Sequence, residues 1–433
     1  MFKEIRLNCE IAVVGAGPAG IAAATVAAQG GRSVILLDDN THSGGQIWRG
    51  ENAHSKRSTA TEWLQRLDRT SAQQLFRARV FHANDRTLFA ESPEHVFQVS
   101  FEKLILATGA RERFLCFPGW TLPGVFGAGG LQALIKSGLP VNGKRIVIAG
   151  TGPLLLAVAA FAKEKGAQIV CIAEQTSWTR FARFGLSALL STHKSRAAIG
   201  LLWKLRGIPH WKSAWPVAAV GDKIIHAVRI SRRGKTTEIP CDYLACGFHL
   251  VPSLELAQSL GCQLQEGFVS VDHNQRTSCA GIYCAGETTG IGGFERSLLQ
   301  GQIAGYSAAG LPELATALHK RLISTARDIR LLHKVFALRG ELRSMPEHDT
   351  LVCRCEDVSF GKLLGFKSWR EAKLQTRCGM GPCQGRVCGS ATEFLFGWNV
   401  YSARPPIFPV QCSSLASIST ENIRQQIRQG GSQ

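Results

Sequence analysis

Acids are scarce in this chain: 32 Asp+Glu stand against 50 Lys+Arg in 433 residues, a formal charge of +18. The excess invites a nucleic-acid reading, but no recognised nucleic-acid motif accompanies it, so none is expected as a partner. Charged residues amount to only 19% against 45% hydrophobic, which excludes a disordered chain. Tandem repeats are absent, and only the Gln/Gly/Ser end at residues 425–433 is expected to fray. A transmembrane segment is absent too. Residues 11–28 are long and apolar enough to suggest one, yet Gly15, Gly17, Pro18 and Gly20 interrupt the run and Asp38 ends the next apolar stretch. A strand, a glycine turn and a buried helix explain the pattern better. No secretory signal precedes the first strand, which predicts a reducing, cytoplasmic setting, with association at a membrane surface left open.

What is present is glycine, 45 residues of it, and the first cluster is informative. The β-branched run before Gly15 reads as a buried parallel strand. Gly15 makes the tight turn, Gly17 lets backbone approach a pyrophosphate, and Gly20 lets the helix pack on the strand. Pro18 and Ala19 open that helix, whose free N–H groups favour phosphate. Asp38, followed by Asp39, ends the second strand 18 residues after Gly20, where a carboxylate can accept from ribose hydroxyls.

Three further pieces specify FAD. Gly44-Gly45-Gln46 follows the second strand, where a loop can lie beside a flavin ring. A buried strand runs into Ala107-Thr108-Gly109-Ala110, and another ends in Gly286-Glu287, where Glu287 can reach a ribityl chain. This order resembles the two-dinucleotide-domain flavoproteins related to thioredoxin and glutathione reductase, whose usual Gly-Asp is Gly-Glu here. Those reductases carry a redox-active cysteine pair. No Cys lies near Gly44-Gly45-Gln46, and Cys241 and Cys246 flank an apolar strand, so they read as core residues. Dithiol–disulfide chemistry is disfavoured.

A second glycine turn, Gly150-Thr151-Gly152-Pro153-Leu154, also follows a strand and opens a helix, with Glu174 ending the next strand. Leu155 occupies the third glycine position, which pushes helix from strand. Glu174 favours a free ribose 2′-hydroxyl, hence NAD(H) or another adenine nucleotide over NADP. The other reading is a retained fold with an idle site.

Of 14 cysteines, five lie within 36 residues near the end: Cys353, Cys355, Cys378, Cys383 and Cys388. Cys353-Arg354-Cys355 is followed after 27 residues by Cys383 and then Cys388, with Cys378 an extra thiol. Four thiolates gathered from two turns suit a 2Fe-2S cluster or tetrahedral zinc. An adjoining flavin needs a one-electron outlet, which favours the cluster over zinc or unligated thiols. Pro382 marks where a helix can start, which would put Cys383 at a helix N-terminus.

Taken together, Gly44 to Arg49, Ala107 to Arg113, Phe117 to Val125 and Val352 to Asp357 resemble the α-type flavin subunits of multi-subunit amino-acid dehydrogenases. The corresponding chains of hydrogen cyanide synthase, opine (octopine or nopaline) oxidase and D-hydroxyproline dehydrogenase are relatives of this type; the sarcosine oxidase α chain is more distant. The resemblance runs from about residue 10 to 390. It implies FAD on the first glycine turn and a 2Fe-2S cluster on Cys353, Cys355, Cys383 and Cys388, with Cys378 at a place not normally a ligand. It also implies a separate flavin-bearing β-type catalytic partner that oxidises the substrate amine, and often a small ferredoxin-like partner.

The expected fold is therefore α/β: two Rossmann-like dinucleotide-binding domains of the thioredoxin/glutathione reductase type plus a small helical C-terminal cluster domain. The FAD domain is expected over residues 1–118 and 247–330, the second nucleotide domain over 119–246, and the Cys-rich domain over 346–433. A basic stretch at residues 320–343 reads as an amphipathic helix linking the flavin core to the Cys-rich domain. The charge excess is local, since residues 177–236 hold 12 Lys+Arg and one acid, Asp222. That stretch reads as a docking face for an acidic protein or simply as a solvated surface. No His or carboxylate stands out as a proton-transfer group, so no catalytic acid or base is named. The expected function is electron transfer within an amino-acid or opine dehydrogenase. The rivals are a self-contained NAD(P)H-dependent flavin reductase passing electrons to a ferredoxin-like acceptor, and a non-catalytic nucleotide-binding scaffold.

Overall fold

In the computed structural model the described residues are 3–51, 58–84, 86–180, 200–201, 203–400 and 403–416. They fall into two compact units. The first comprises Met1–Ala110, Pro252–Thr325 and Tyr401–Gln433; the second comprises Arg111–Val251 and Ala326–Val400.

The first unit begins with β1 (Lys3–Val14), α1 (Pro18–Gln29) and β2 (Val34–Leu37), followed by α2 (Thr59–Asp68) and β3 (Gln73–Leu75). It continues with β4 (Arg79–Asn84), β5 (Thr87–Glu91) and β6 (His95–Leu106). One sheet holds them in the order β3-β2-β1-β6-β5-β4. β1 pairs with β2 and β6 in parallel, placing Val14 beside both Leu37 and Leu106. All four residues of β2 are buried, as a strand covered on both faces requires.

The second unit carries β7 (Val125–Gly127), α3 (Ala128–Lys136), β8 (Arg145–Thr151), α4 (Pro153–Glu164), β9 (Gln168–Glu174) and β10 (His210–Lys212). An antiparallel trio, β11 (Ala214–Gly221), β12 (Ile225–Arg232) and β13 (Lys235–Pro240), precedes β14 (Tyr243–Phe248). Its parallel sheet runs β10-β9-β8-β14-β7. Cys241 and Cys246 are buried in its apolar core.

Back in the first unit, β15 (Ile282–Cys284) pairs with the end of β6, and α5 (Gly293–Ala309) returns across α1. That crossing depends on glycine. A Cβ at Gly301 would lie 2.1 Å from the Ala19 carbonyl oxygen, and one at Gly305 2.5 Å from that of Ala23. Small residues on both helices let the backbones touch, and α5 stops at Gly310 in the left-handed conformation. Helix α6 (Thr316–Val335) follows, then β16 (Leu351–Cys353), β17 (Val358–Ser359), α7 (Trp369–Thr376) and α8 (Cys388–Phe396).

Helix α6 ends eight residues short of the expected 343. The carbonyls of Phe336 and Ala337 turn instead to the Gln175 side chain, at 3.4 and 3.3 Å. Residues 326–400 group with the second unit, whereas the described tail packs on the first, with Ile407 N–H donating to the Phe81 carbonyl. Much of the basic stretch, residues 181–199 and 202, lies outside the described residues. Within the described part, Trp178 and Trp203 are exposed, while Arg232 lies over Trp211 and Arg339 over Trp215.

Replacing Gly301 with Val forces α5 away from α1, an overpacking cost of about 1–3 kcal/mol. Thermal unfolding of the variant is expected at a lower temperature, with reduced bound flavin. An unchanged transition would show that the helices do not pack this closely.

Candidate functional site

The first glycine turn gathers every stretch expected to hold FAD. A Cβ on Gly15 (φ +105°) would sit 2.2 Å from the Ala107 oxygen, and one on Gly20 1.7 Å from the Gly15 oxygen. Those two glycines are consumed by packing. Gly17 differs, because a Cβ there meets nothing within 4 Å, nor does one on Gly109 (φ +65°). These two positions face open space, as a cradle for a ligand must. Gly45 approaches Gly17, Gly44 N–H donates to the Ala16 carbonyl, and Gly286 comes against Ala19. Thr108 Oγ1 donates to the Ser253 carbonyl at 2.7 Å and lies 3.4 Å from Thr288 Oγ1. Ala110 closes this stretch at the unit boundary.

Asp38 and Asp39 separate clearly. Buried Asp38 accepts the Ala16 N–H on one oxygen and the Asn40 N–H on the other. Asp39 is exposed and faces Arg79 at 3.7 Å. Gln46 is also exposed and accepts from Arg49. Glu287 turns its carboxylate to the Gly293 N–H at the start of α5, and burial pushes its pKa up.

One residue was not anticipated. Gln300, 2% exposed, accepts the Gly286 N–H with Oε1 at 3.2 Å and donates through Nε2 to Thr289 Oγ1 at 2.8 Å. It pins both ends of the Gly286–Thr289 turn. A polar side chain on the otherwise buried stretch Leu298-Leu299-Gln300-Gly301 is the signal that marks it in the sequence. Gln300 also lines a cavity of ≈ 530 Å³ with Gln275, Arg296 and His319. Gln275 Oε1 and His319 Nε2 are buried without hydrogen-bond partners, leaving polar capacity for water or a small polar molecule.

The second glycine turn repeats the geometry, and Gly152 (φ +95°) faces open space as Gly17 does, but its N–H is taken within the chain. Glu174, 2% exposed, accepts the Gly152 N–H and the Thr176 N–H, each at 2.8 Å. Burial raises its pKa against those bonds. Gly150 (φ +134°) could carry no side chain, its Cβ direction meeting the Gly247 oxygen at 1.9 Å. Leu155 is buried in the core and comes to 3.5 Å from a Cβ built on Gly247. Gln175 spans the turn. Its Nε2 donates to Thr151 Oγ1 at 2.9 Å and to the Phe336 and Ala337 carbonyls, while its Oε1 accepts the Arg339 N–H. Thr151 Oγ1 itself donates to the Phe336 carbonyl. Half-buried Glu112 adds a carboxyl group at the start of α3, accepting the Gly129 and Gly130 N–H groups at 2.7 and 2.9 Å. The carboxylate of Glu174 thus takes the Gly152 N–H, a donor that a dinucleotide phosphate would use. Pro153 supplies no N–H, and Leu154 follows it in the first turn of α4.

The cysteine segment brings thiols together. The Sγ atoms of Cys353, Cys378 and Cys388 lie within 4.8 Å of one another, all three buried. Cys388 also interacts with Cys383, and Cys383 with Cys355, so the five form a chain. Cys383 is half-buried and Cys355 exposed. Cys383 does not start a helix, contrary to expectation. Gln384 (φ +50°) and Gly385 (φ +77°) are left-handed, which breaks helical geometry, and α8 begins at Cys388. Gly379 and Gly385 fold over Trp369, to which a Cβ on Gly379 would approach within 2.4 Å. The donor set fits a soft, thiophilic metal centre.

Residues 9–317 match the family model of the pyridine nucleotide-disulphide oxidoreductases. The chain belongs to that family. It is therefore an oxidoreductase, and the matched stretch includes both glycine turns. An opine oxidase subunit from Agrobacterium tumefaciens (strain Ach5) is 30% identical over 94% of this chain and 92% of that protein. Hydrogen cyanide synthase subunit HcnB from Pseudomonas aeruginosa is also 30% identical, over 96% and 100%. Among solved structures, L-proline dehydrogenase from P. horikoshii superimposes with a TM-score of 0.70 at 19% identity, covering 96% of this chain and 81% of that one. Thioredoxin reductase from T. acidophilum gives 0.55 at 22%, covering 70% and 98%. The structural likenesses establish the fold expected from the sequence. No helix among the described residues is long and apolar enough to cross a membrane.

Changing Gln300 to Leu leaves the buried Gly286 N–H unpaired, which costs about 1–3 kcal/mol. The variant is expected to purify with less FAD than wild type, read from the flavin-to-protein absorbance ratio. Full flavin content would show that the turn does not need this anchor.

Proposed function

We propose that this chain is the FAD- and 2Fe-2S-bearing electron-transfer subunit of a heteromeric dehydrogenase or oxidase acting on the C–N bond of an amino acid or opine. The observation that carries the reading is the contrast between the two glycine turns. Both leave open space at their second glycine, Gly17 and Gly152, but the Gly152 N–H at the head of α4 is taken by Glu174 within the chain, whereas Asp38 takes the Ala16 N–H instead. A chain of this kind holds one flavin and does not depend on a nicotinamide bound beside it.

FAD accepts an electron pair and an iron–sulfur cluster passes electrons singly, the conversion such a chain needs. The residues that would hold FAD are Gly15 to Gly20, Asp38, Gly45, Thr108, Gly109, Gly286 and Glu287. Asp38 and Gln300 fix the backbone that meets the phosphates and the ribityl end. The cluster would be held by thiolates from the Cys353–Cys388 segment, whose buried side excludes water.

Near the first turn, Asp38 and Glu287 both accept hydrogen bonds from backbone N–H groups, which supports reading them as carboxyl groups that hold the site's backbone. Breaking the substrate C–H bond then falls to a partner, for which a flavin-bearing β-type chain is the candidate. A small ferredoxin-like protein fits as a further partner. The opine oxidase and hydrogen cyanide synthase relatives are by name subunits of larger enzymes, which supports a heteromeric assembly.

The reductase reading rests on Gly150, Gly152 and Glu174 and is tested directly. Anaerobic mixing of the purified chain with NADH is expected to leave flavin absorbance unchanged, while dithionite bleaches it. With the β-type partner present, amine substrate is expected to bleach it as well. Prompt bleaching by NADH alone would overturn the reading and make the second turn a working site.

A further inference from the structure

Five thiols serve a centre that needs four. A 2Fe-2S cluster takes two thiolates on each iron, and spacing alone pairs Cys353 with Cys355 and Cys383 with Cys388. The folded segment is arranged differently. Its tight, buried group is Cys353, Cys378 and Cys388, with Sγ atoms within 4.8 Å of one another. Thiolates sharing one tetrahedral metal at about 2.3 Å stand roughly 3.8 Å apart, so this trio needs only small adjustments to ligate. Cys355, by contrast, is exposed at the rim and reaches the group through Cys383.

Cys378 owes its position to the backbone before it. Helix α7 ends at Arg377, a left-handed non-glycine residue (φ +64°) whose guanidinium is held by Glu356 at 2.7 Å. That turn sends Cys378 inward, fully buried, against the other thiols. The next residue, Gly379, points its N–H at Cys353 Sγ at 3.5 Å, the kind of donor that stabilises a thiolate ligand. A Cys kept only as a small core residue needs neither the strained turn nor two thiol neighbours.

We propose that Cys378 is a ligand-competent member of the cluster site, interchangeable with Cys355, so that the centre survives the loss of its exposed ligand. The inference rests on the iron–sulfur reading above. It gives the site a soft-metal set of Cys353, Cys383 and Cys388 with Cys378 or Cys355 as the fourth thiolate.

The test compares anaerobically purified wild type with Cys355→Ala, Cys378→Ala, the double variant and Cys353→Ala. Iron and acid-labile sulfide per chain are measured, together with the electron paramagnetic resonance spectrum of the dithionite-reduced protein. FAD content and far-ultraviolet circular dichroism report folding. Both single variants are expected to keep more than half of the wild-type iron and sulfide, with shifted g-values in at least Cys355→Ala. The double variant and Cys353→Ala are expected to fall at least tenfold while retaining FAD. Loss of the cluster in Cys355→Ala alone, with Cys378→Ala unchanged in content and spectrum, would overturn the exchange. Loss in Cys378→Ala alone would overturn it too, making Cys378 an obligatory ligand. A wild type holding zinc without sulfide overturns the iron–sulfur reading itself, an outcome seen before any variant is made.

Discussion

Both nucleotide folds in this chain are built on one contact, a buried carboxylate at the end of a second parallel strand accepting hydrogen bonds from a glycine turn. Asp38 and Glu174 make it in the same way, each taking the N–H two residues ahead on one oxygen and a turn N–H on the other. Two backbone donors on each carboxyl group offset part of the cost of burying it. The two copies diverge by a methylene. The shorter Asp38 reaches Ala16, the middle residue of its turn, whereas the longer Glu174 reaches Gly152, which heads helix α4. An N–H at a helix head is the donor a phosphate would use. The extra carbon therefore lets the chain's own carboxylate take that donor, and Gln175 ties the Phe336 carbonyl to the same turn.

The glycine turns and the strands around them were legible because each depends on neighbours a few residues away. Strand hydrophobicity, turn glycines and terminal acids are local requirements, and they returned the strand, turn and helix order of both nucleotide folds. What stayed hidden depends on contacts across long sequence separations. Gln300 matters because it meets Gly286 in space, and Gln175 because residues beyond 335 come back to it. Neither meeting leaves a spacing to be read. The helix expected at Cys383 failed for a local reason: two consecutive left-handed residues, Gln384 and Gly385, follow it, and only one of them is the glycine that marks such a turn.

Cys378 shows the same limit from the other side. Thiol spacing ranks Cys355 as a ligand and Cys378 as a bystander, because spacing counts residues and cannot see a left-handed Arg377. The fold weighs burial, and burial favours Cys378. Low exposure protects a thiolate from water and oxidant, whereas an exposed thiol is the one chemistry reaches first. Under the proposed exchange, a centre with one ligand at the rim and a substitute inside is therefore asymmetric in its vulnerability.

That asymmetry bears on how electrons would leave. The acids closest to the first glycine turn, Asp38 and Glu287, are both tied to backbone donors. Fixed dipoles and satisfied carboxylates suit a group that changes charge without needing its surroundings to rearrange. The same rigidity is a poor setting for general acid–base catalysis, which needs a side chain free to gain and lose a proton near neutral pH. Under the proposed function, the residues of this chain hold redox groups still, and the proton chemistry of C–N oxidation belongs to another polypeptide.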